Sequence, residues 1–173
     1  MRTNLQAVYK KEGLELNFPT CSVFPSTTVN FGPSTACVPH KDMANDAANW
    51  CHIVALGSFD PKRGGHLILH DLRLAIEFPP GASILIPSAL FEHSNAPIQE
   101  GELRQSFTQY CAGGLMRWVE CGFRTYETAK AVDAKGWRVF EAHLDERTKT
   151  RVEMFSTWEQ LQSDRERWLK EWL

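Results

Sequence analysis

No CxxC pair occurs among the five cysteines, Cys21, Cys37, Cys51, Cys111 and Cys121, and their number is odd. That argues against a zinc knuckle or ribbon and gives no support to a disulfide framework. Reduced thiols in an intracellular protein are the expectation. No stretch approaches the ~20 apolar residues of a membrane span. The first residues, MRTNLQAVYKKEGLELNF, have no apolar core of the kind a signal peptide needs, so no membrane is expected among the partners. Positive charge is not in excess either: 19 Lys and Arg stand against 21 Asp and Glu. A net charge of -2 gives no broad basic field, which counts against tight nonspecific binding of nucleic acid but leaves room for a local basic groove. There is no internal repeat and no low-complexity segment.

What is present fits one domain. A chain of 173 residues can bury a sizeable core, and 43% apolar with 23% charged residues is ordinary for a globular protein. Six Trp and ten Phe fit a dense core or an aromatic-lined pocket. Turn signals recur about every 8–12 residues, the spacing of an all-β barrel or sandwich. Residues 21–39 read as short strands between turns. WCHIVALGSF (50–59), HLILHDL (66–72), LAIEF (74–78), ASILIPS (82–88), FEHSNAPIQ (91–99) and LRQSFTQYCAG (103–113) read as strands, the fifth running into a loop. The last third is charged and helical in composition. STWEQLQSDRERWLKEWL is a helix candidate capped by Ser156 or Thr157, with Trp158, Leu161, Trp168 and Leu169 near one face. The expected architecture is a single domain over 1–173: a mainly β core at about 25–125, a small barrel or jelly roll, then a helical segment at about 126–173.

The chemistry concentrates in VPHKDMANDAANW (38–50). On a strand, positions i and i+2 face one side, so His40 and Asp42 offer an imidazole and a carboxylate to one point. Two histidines and one carboxylate form the facial set of non-haem Fe(II) oxygenases, which leaves three positions open. His66 and His70 lie roughly 13 Å apart if extended, too far to share one ion. His52 sits in an apolar run and His143 in the charged tail. His93 is therefore the expected third ligand. Eleven residues on, Arg104 in RQSFTQY can grip a carboxylate with two parallel hydrogen bonds, and Ser106 on the same side of the strand can add a hydroxyl. That pair suits the distal carboxylate of 2-oxoglutarate.

The order HxD, GGxL, PGxxxLIPS, then a distal His with Arg after ten intervening residues, resembles the Fe(II)/2-oxoglutarate-dependent dioxygenases on a double-stranded β-helix. NFGP (30–33), HKDMAN (40–45) and GGHLILHDL (64–72) are similar to the TET/JBP group, of which fungi carry many short members. The resemblance covers about 25–125. It implies a cupin-like jelly roll, Fe(II) at His40, Asp42 and His93, and 2-oxoglutarate at Arg104 and Ser106, with O2 as second cosubstrate. It also implies Asn45 as a contact to the target base. The implied activity is oxidation of a methyl group on a nucleobase, of the 5-methylcytosine or thymine class or an N-methylated base, with DNA favoured over RNA; the expected place is intracellular, the nucleus if DNA is the substrate and the cytoplasm otherwise. Two alternatives stay open: hydroxylation of a small molecule or protein side chain, and a silent binding module. The sequence leaves the oligomeric state open. The chain lacks a cysteine-rich zinc module and a separate DNA-reading segment.

Overall fold

The computed structural model describes residues 9–15, 18, 22–133, 137, 141, 149, 153 and 155–172. The chain divides into two compact units, 1–128 and 129–173, and each is described by itself.

The first unit holds seven strands: β1 (Ser26–Asn30), β2 (Cys51–Ser58), β3 (Leu67–Leu69), β4 (Leu74–Ile76), β5 (Ser83–Ile86), β6 (His93–Asn95) and β7 (Leu103–Tyr110). They form a four-stranded sheet in the order β1-β7-β2-β5 and a three-stranded sheet in the order β4-β3-β6. Every pairing within the two sheets is antiparallel. This is the two-sheet jelly roll expected from the turn spacing. Among the described residues the two sheets do not join into a closed barrel.

Each predicted strand in this stretch exists, although several are shorter than the sequence pattern. HLILHDL is a strand only at Leu67–Leu69, because the chain turns at His70–Arg73, where the Arg73 N–H bonds the His70 carbonyl and Arg73 adopts φ 52°. ASILIPS ends at Ile86, ahead of Pro87, which has no N–H to give a ladder.

The core lies between the sheets. Cys51, Ala55 and Phe59 from β2 and its end meet Leu67 and Leu69 of β3, with Phe78 and Ile86 closing the cluster. Alternation on β2 puts Cys51, Ile53 and Ala55 on the inner face. On β7 the same alternation turns Arg104, Ser106, Thr108 and Tyr110 inward, so one strand supplies the long polar wall of the interior. Trp50 is 41% exposed because it precedes β2 at the sheet margin.

Two helices follow the strands: α1 (Gly113–Glu120) and α2 (Tyr126–Val132). In the second unit, α3 (Trp158–Trp172) starts as the sequence predicts. The Thr157 hydroxyl accepts the Gln160 N–H at 3.3 Å, and the Gln160 side chain accepts the Thr157 N–H at 2.9 Å. That is a reciprocal capping box. Trp158, Leu161 and Leu169 are all exposed on this helix, and the Trp168 side chain lies outside the described residues.

Gly57 sits on β2 opposite Arg104 of β7, at φ +113°, where a Cβ would overlap the Leu103 carbonyl. Only glycine lets the two strands approach this closely. Gly57→Ala is expected to lower stability by about 2–4 kcal/mol. Urea unfolding followed by circular dichroism measures it, and an unchanged midpoint would show that the contact relaxes at no cost.

Candidate metal and carboxylate site

His40 and Asp42 do not lie on a strand, which corrects the expectation from their spacing. Pro39 lacks an N–H, and the chain curls directly after Asp42, with Met43 N–H bonding Lys41 O and Asn45 N–H bonding Asp42 O, both at 2.9 Å. What remains is a single antiparallel bridge. His40 and His93 exchange both backbone hydrogen bonds, at 3.0 and 2.9 Å, so the HKD segment runs beside β6 as a one-rung extension of the smaller sheet. Asp42 N–H is fixed on the Ser88 carbonyl at 3.0 Å.

The three side chains nevertheless converge. One donor atom from each of His40, Asp42 and His93 lies within 4.8 Å of the others, and His93 is buried. Both imidazoles are oriented in the same way. His40 Nδ1 lies 2.8 Å from the Val38 carbonyl and His93 Nδ1 lies 3.0 Å from the Phe91 carbonyl. A carbonyl only accepts, so each Nδ1 carries a proton and Nε2 is the nitrogen left to act as a ligand. His40 Nε2 is 3.4 Å from Asp42 Oδ1. Two neutral imidazoles and a carboxylate with their lone pairs aimed at one point form a donor set suited to a divalent ion, with backbone carbonyls as its outer support.

Asn45 sits behind this set. Its amide nitrogen donates to Asp42 Oδ2 and to Ser88 Oγ, both at 3.1 Å, so it steadies the carboxylate. Ser88 is 1% exposed and also contacts Cys51. Burial, and next the Asp42 carboxylate, push the Cys51 thiol up to about 11, so it packs here as a neutral group. Lys41 points away and pairs with Asp71 at 3.3 Å. The Glu92 N–H and then Lys41 hold the Asp71 carboxyl below the usual range, and this clamp ties the HKD segment to the β3–β4 turn.

A cavity of about 430 Å³ opens between the sheets, with His40, Asp42, Asn45, Cys51 and His93 on its wall. Arg104 and Ser106 line the same cavity as His40, Asp42, Asn45 and His93, so the structure brings every site residue expected from sequence to one place. Arg104 is 3% exposed. One terminal nitrogen donates to the Thr35 carbonyl at 2.9 Å, while Nε is buried with no partner. Burial lowers the guanidinium pKa, although it stays charged. A buried N–H without an acceptor costs roughly 1–3 kcal/mol; the guanidinium itself lines the cavity, and one of its terminal nitrogens is taken up by the chain's own carbonyl. Ser106 Oγ accepts the Asn30 amide at 2.8 Å, which leaves its own O–H to donate. Sequence reasoning missed Asn30, Thr35 and Ser88. The first could have been found from its place in NFGP and Ser88 from its place in PGxxxLIPS, but Thr35 acts through its backbone oxygen, which leaves no mark on residue identity.

Among the described residues no other group of three His, Cys, Asp or Glu side chains could hold a metal ion, and no helix is long and apolar enough to cross a membrane. His66 and His70 remain apart from the cluster, and His70 bonds the Ser94 hydroxyl at 2.9 Å.

No protein-family model matches the chain, and no curated protein matches it in sequence. Solved structures do. The fold is similar to that of NgTET1 in complex with 5mC DNA, with a TM-score of 0.51, 20% identity, and coverage of 65% of this chain. The match spans 41% of the NgTET1 chain, well under half of it. The viral collagen prolyl hydroxylase of Paramecium Bursaria Chlorella virus-1, in its 2OG complex, matches at a TM-score of 0.37 and 14% identity over 64% of this chain and 69% of its own, too loose a likeness to argue from.

His93→Ala is expected to weaken Mn2+ binding at least about a hundredfold, and Asn45→Ala about tenfold through the loosened carboxylate. Titration calorimetry on the folded variants tests both. Equal affinity in His93→Ala would remove the three residues as an ion site.

Proposed function

We propose that the chain is an Fe(II)- and 2-oxoglutarate-dependent dioxygenase that oxidises a methyl group on a nucleobase, with DNA as the favoured nucleic acid and 5-methylcytosine or thymine as the class of base. The observation that carries the oxygenase reading is the pairing, inside one cavity, of the His40–Asp42–His93 donor set with the buried Arg104 guanidinium. Each half alone would suit several kinds of ligand. Together they match a cosubstrate that chelates a metal at one end and carries a second carboxylate at the other.

The donor set fits iron: two imidazoles and one carboxylate leave coordination sites for a chelating keto acid and O2. Bound there, Fe(II) with 2-oxoglutarate and O2 supplies the oxidising power for hydroxylating a C–H bond, releasing succinate and CO2. The chain's own work is positional. His40 and His93 hold their Nε2 atoms inward through hydrogen bonds to Val38 and Phe91. Asn45 holds Asp42 through its outer oxygen, leaving Oδ1 toward His40. Arg104 and Ser106 take the distal carboxylate, and the low dielectric around Arg104 strengthens that pairing. Phe78, Leu67 and Ile53 line the cavity and keep water from the reacting centre.

The nucleobase part of the reading rests on the fold shared with NgTET1, which was solved with 5mC DNA, and on the HKDMAN segment. A base in duplex DNA must leave the stack to reach such a cavity, at a cost of a few kcal/mol. Asn45 lines the cavity and its side-chain oxygen has no hydrogen bond among the described residues, so it is available to a base edge. A DNA substrate would place the protein in the nucleus.

Two measurements test this function. Oligonucleotides carrying 5-methylcytosine, incubated with the protein, Fe(II) and 2-oxoglutarate, are expected to gain one oxygen on the methylated base by mass spectrometry. Turnover of 2-oxoglutarate with every base intact would leave the oxygenase and discard the nucleobase. Arg104→Ala is expected to raise the KM for 2-oxoglutarate by about 10- to 100-fold with Mn2+ affinity retained. Loss of metal binding instead would show that Arg104 supports the ligands rather than the cosubstrate.

A further inference from the structure

Between β1 and the HKD segment the chain crosses from one sheet to the other. Residues 33–35 lie along β7 of the four-stranded sheet. There the Arg104 N–H bonds the Pro33 carbonyl at 2.7 Å, the Thr35 N–H bonds the Arg104 carbonyl at 3.1 Å, and Ser34 forms a parallel bridge with Arg104. Residues 37–40 lie along β6 of the three-stranded sheet. There the Asn95 N–H bonds the Cys37 carbonyl at 3.3 Å, and His40 pairs with His93. The segment 33–40 is therefore a strap between the sheets, tied at one end to the strand that carries Arg104 and at the other to the strand that carries His93.

Asn95 sits where the strap crosses. Its side-chain oxygen accepts the Cys37 N–H at 2.9 Å. Its amide nitrogen donates to the Thr35 carbonyl at 3.1 Å and, more weakly, to the Ala96 carbonyl at 3.4 Å. A backbone N–H only donates and a carbonyl only accepts, so these partners fix which way the amide points. The same Thr35 carbonyl accepts a terminal nitrogen of Arg104 at 2.9 Å. A carbonyl oxygen has two lone pairs, and here Arg104 and Asn95 take them both. Asn95 ends the strand that His93 begins, and both line the cavity with Arg104. One oxygen atom thus joins the guanidinium at the carboxylate end of the cavity to a side chain on the metal-bearing strand.

We propose that Asn95 is a positioning residue that sets the separation between the His40–Asp42–His93 set and the Arg104 guanidinium, and through it the chain length of the 2-oxo diacid that the cavity accepts. The inference rests on the 2-oxoglutarate half of the proposed function and is independent of the nucleobase. A 2-oxo diacid that chelates a metal at one end must reach the guanidinium with the other. Where both anchors are held rigidly, a diacid one methylene longer has to buckle or displace an anchor, a difference worth about tenfold or more. Where the strap is loose, Arg104 follows the carboxylate and that discrimination fades. The Asn95 amide is committed to the strap, so it acts through Thr35 and leaves the acid to Arg104 and Ser106.

The test is titration calorimetry of 2-oxoglutarate, and of 2-oxoadipate with its one extra methylene, into the full chain loaded with Mn2+. The wild type is expected to bind 2-oxoglutarate at least about tenfold more tightly than 2-oxoadipate. In Asn95→Ala that ratio is expected to fall to about threefold or less, with Mn2+ affinity retained. Asn95→Asp is the second variant. It keeps the size of the side chain and the acceptor for Cys37, and it removes the donor to Thr35. Its charge repels the distal carboxylate of both acids alike, so their ratio still reports the geometry and is expected to narrow as well. A residue that only stabilises the fold would weaken both acids equally. If both variants keep the wild-type ratio, the inference is overturned and the proposed function stands. Loss of Mn2+ affinity in both variants would make Asn95 a support for His93 and overturns the inference too. If the wild type binds the two acids equally well, no length is set and the inference falls alone. If the wild type binds neither acid, the oxygenase reading falls and takes this inference with it.

Discussion

His40 and His93 exchange both of their backbone hydrogen bonds, and each then donates its ring Nδ1–H to a carbonyl two residues before it. These four bonds fix two rings on different stretches of chain at a centroid separation of 4.4 Å. The backbone pair sets where the rings sit, and the ring bonds set which nitrogen faces the cavity. Everything else at the site is arranged relative to that pair. Asp42 reaches the same point only because its own N–H is caught by Ser88 and its outer oxygen by Asn45. A one-residue slip along β6 would turn the inner face of the strand outward and dissolve the set.

Arg104 sets a second constraint, in the opposite direction. A guanidinium that is 3% exposed with an unpaired Nε is a net cost to the folded state without ligand. The chain bears it because Arg104 is held on a central strand. β7 pairs with β1 on one side and β2 on the other, and the Arg104 main chain is tied on both its N–H and its carbonyl to the 33–35 segment. Gly57 lets β2 come close enough for that pairing. The apolar cluster at Cys51, Ala55 and Phe59 supplies the stability, while the polar face of β7 is kept for a ligand. Stability and binding are thus carried by neighbouring strands of one sheet.

Much of this was legible in the residues, and the gaps have definite causes. Period-2 alternation on RQSFTQY was enough to put Arg104 and Ser106 on one face, because an eight-residue strand keeps its period. The same alternation does not operate at His40 and Asp42. They do converge, but from an irregular segment whose shape comes from Pro39, from the turn at Met43–Asn45 and from a long-range partner, His93. The outcome matched while the reason differed. Strand ends differ where alternation of apolar and polar residues continues past the last ladder bond, as at His70–Leu72. Residue types could not reveal that Asn45 braces Asp42 or that the Thr35 carbonyl faces Arg104. The first contact depends on turn geometry, and the second joins residues 69 positions apart. Composition also gives no separate signal for α1, whose residues fall inside the stretch expected to be β.

The placing of cations matters for how the surface is understood. A net charge of -2 removes any general attraction to nucleic acid, so recognition would have to come from a few placed cations. Lys41 and Arg63 are already committed, the first to Asp71 and the second to Gln99 at 3.2 Å. Among the described residues Arg117 and Arg124 have no such ion pair, but both are exposed, Arg117 half-way along α1 and Arg124 four residues past its end, so the cation held inside the molecule for a ligand is Arg104.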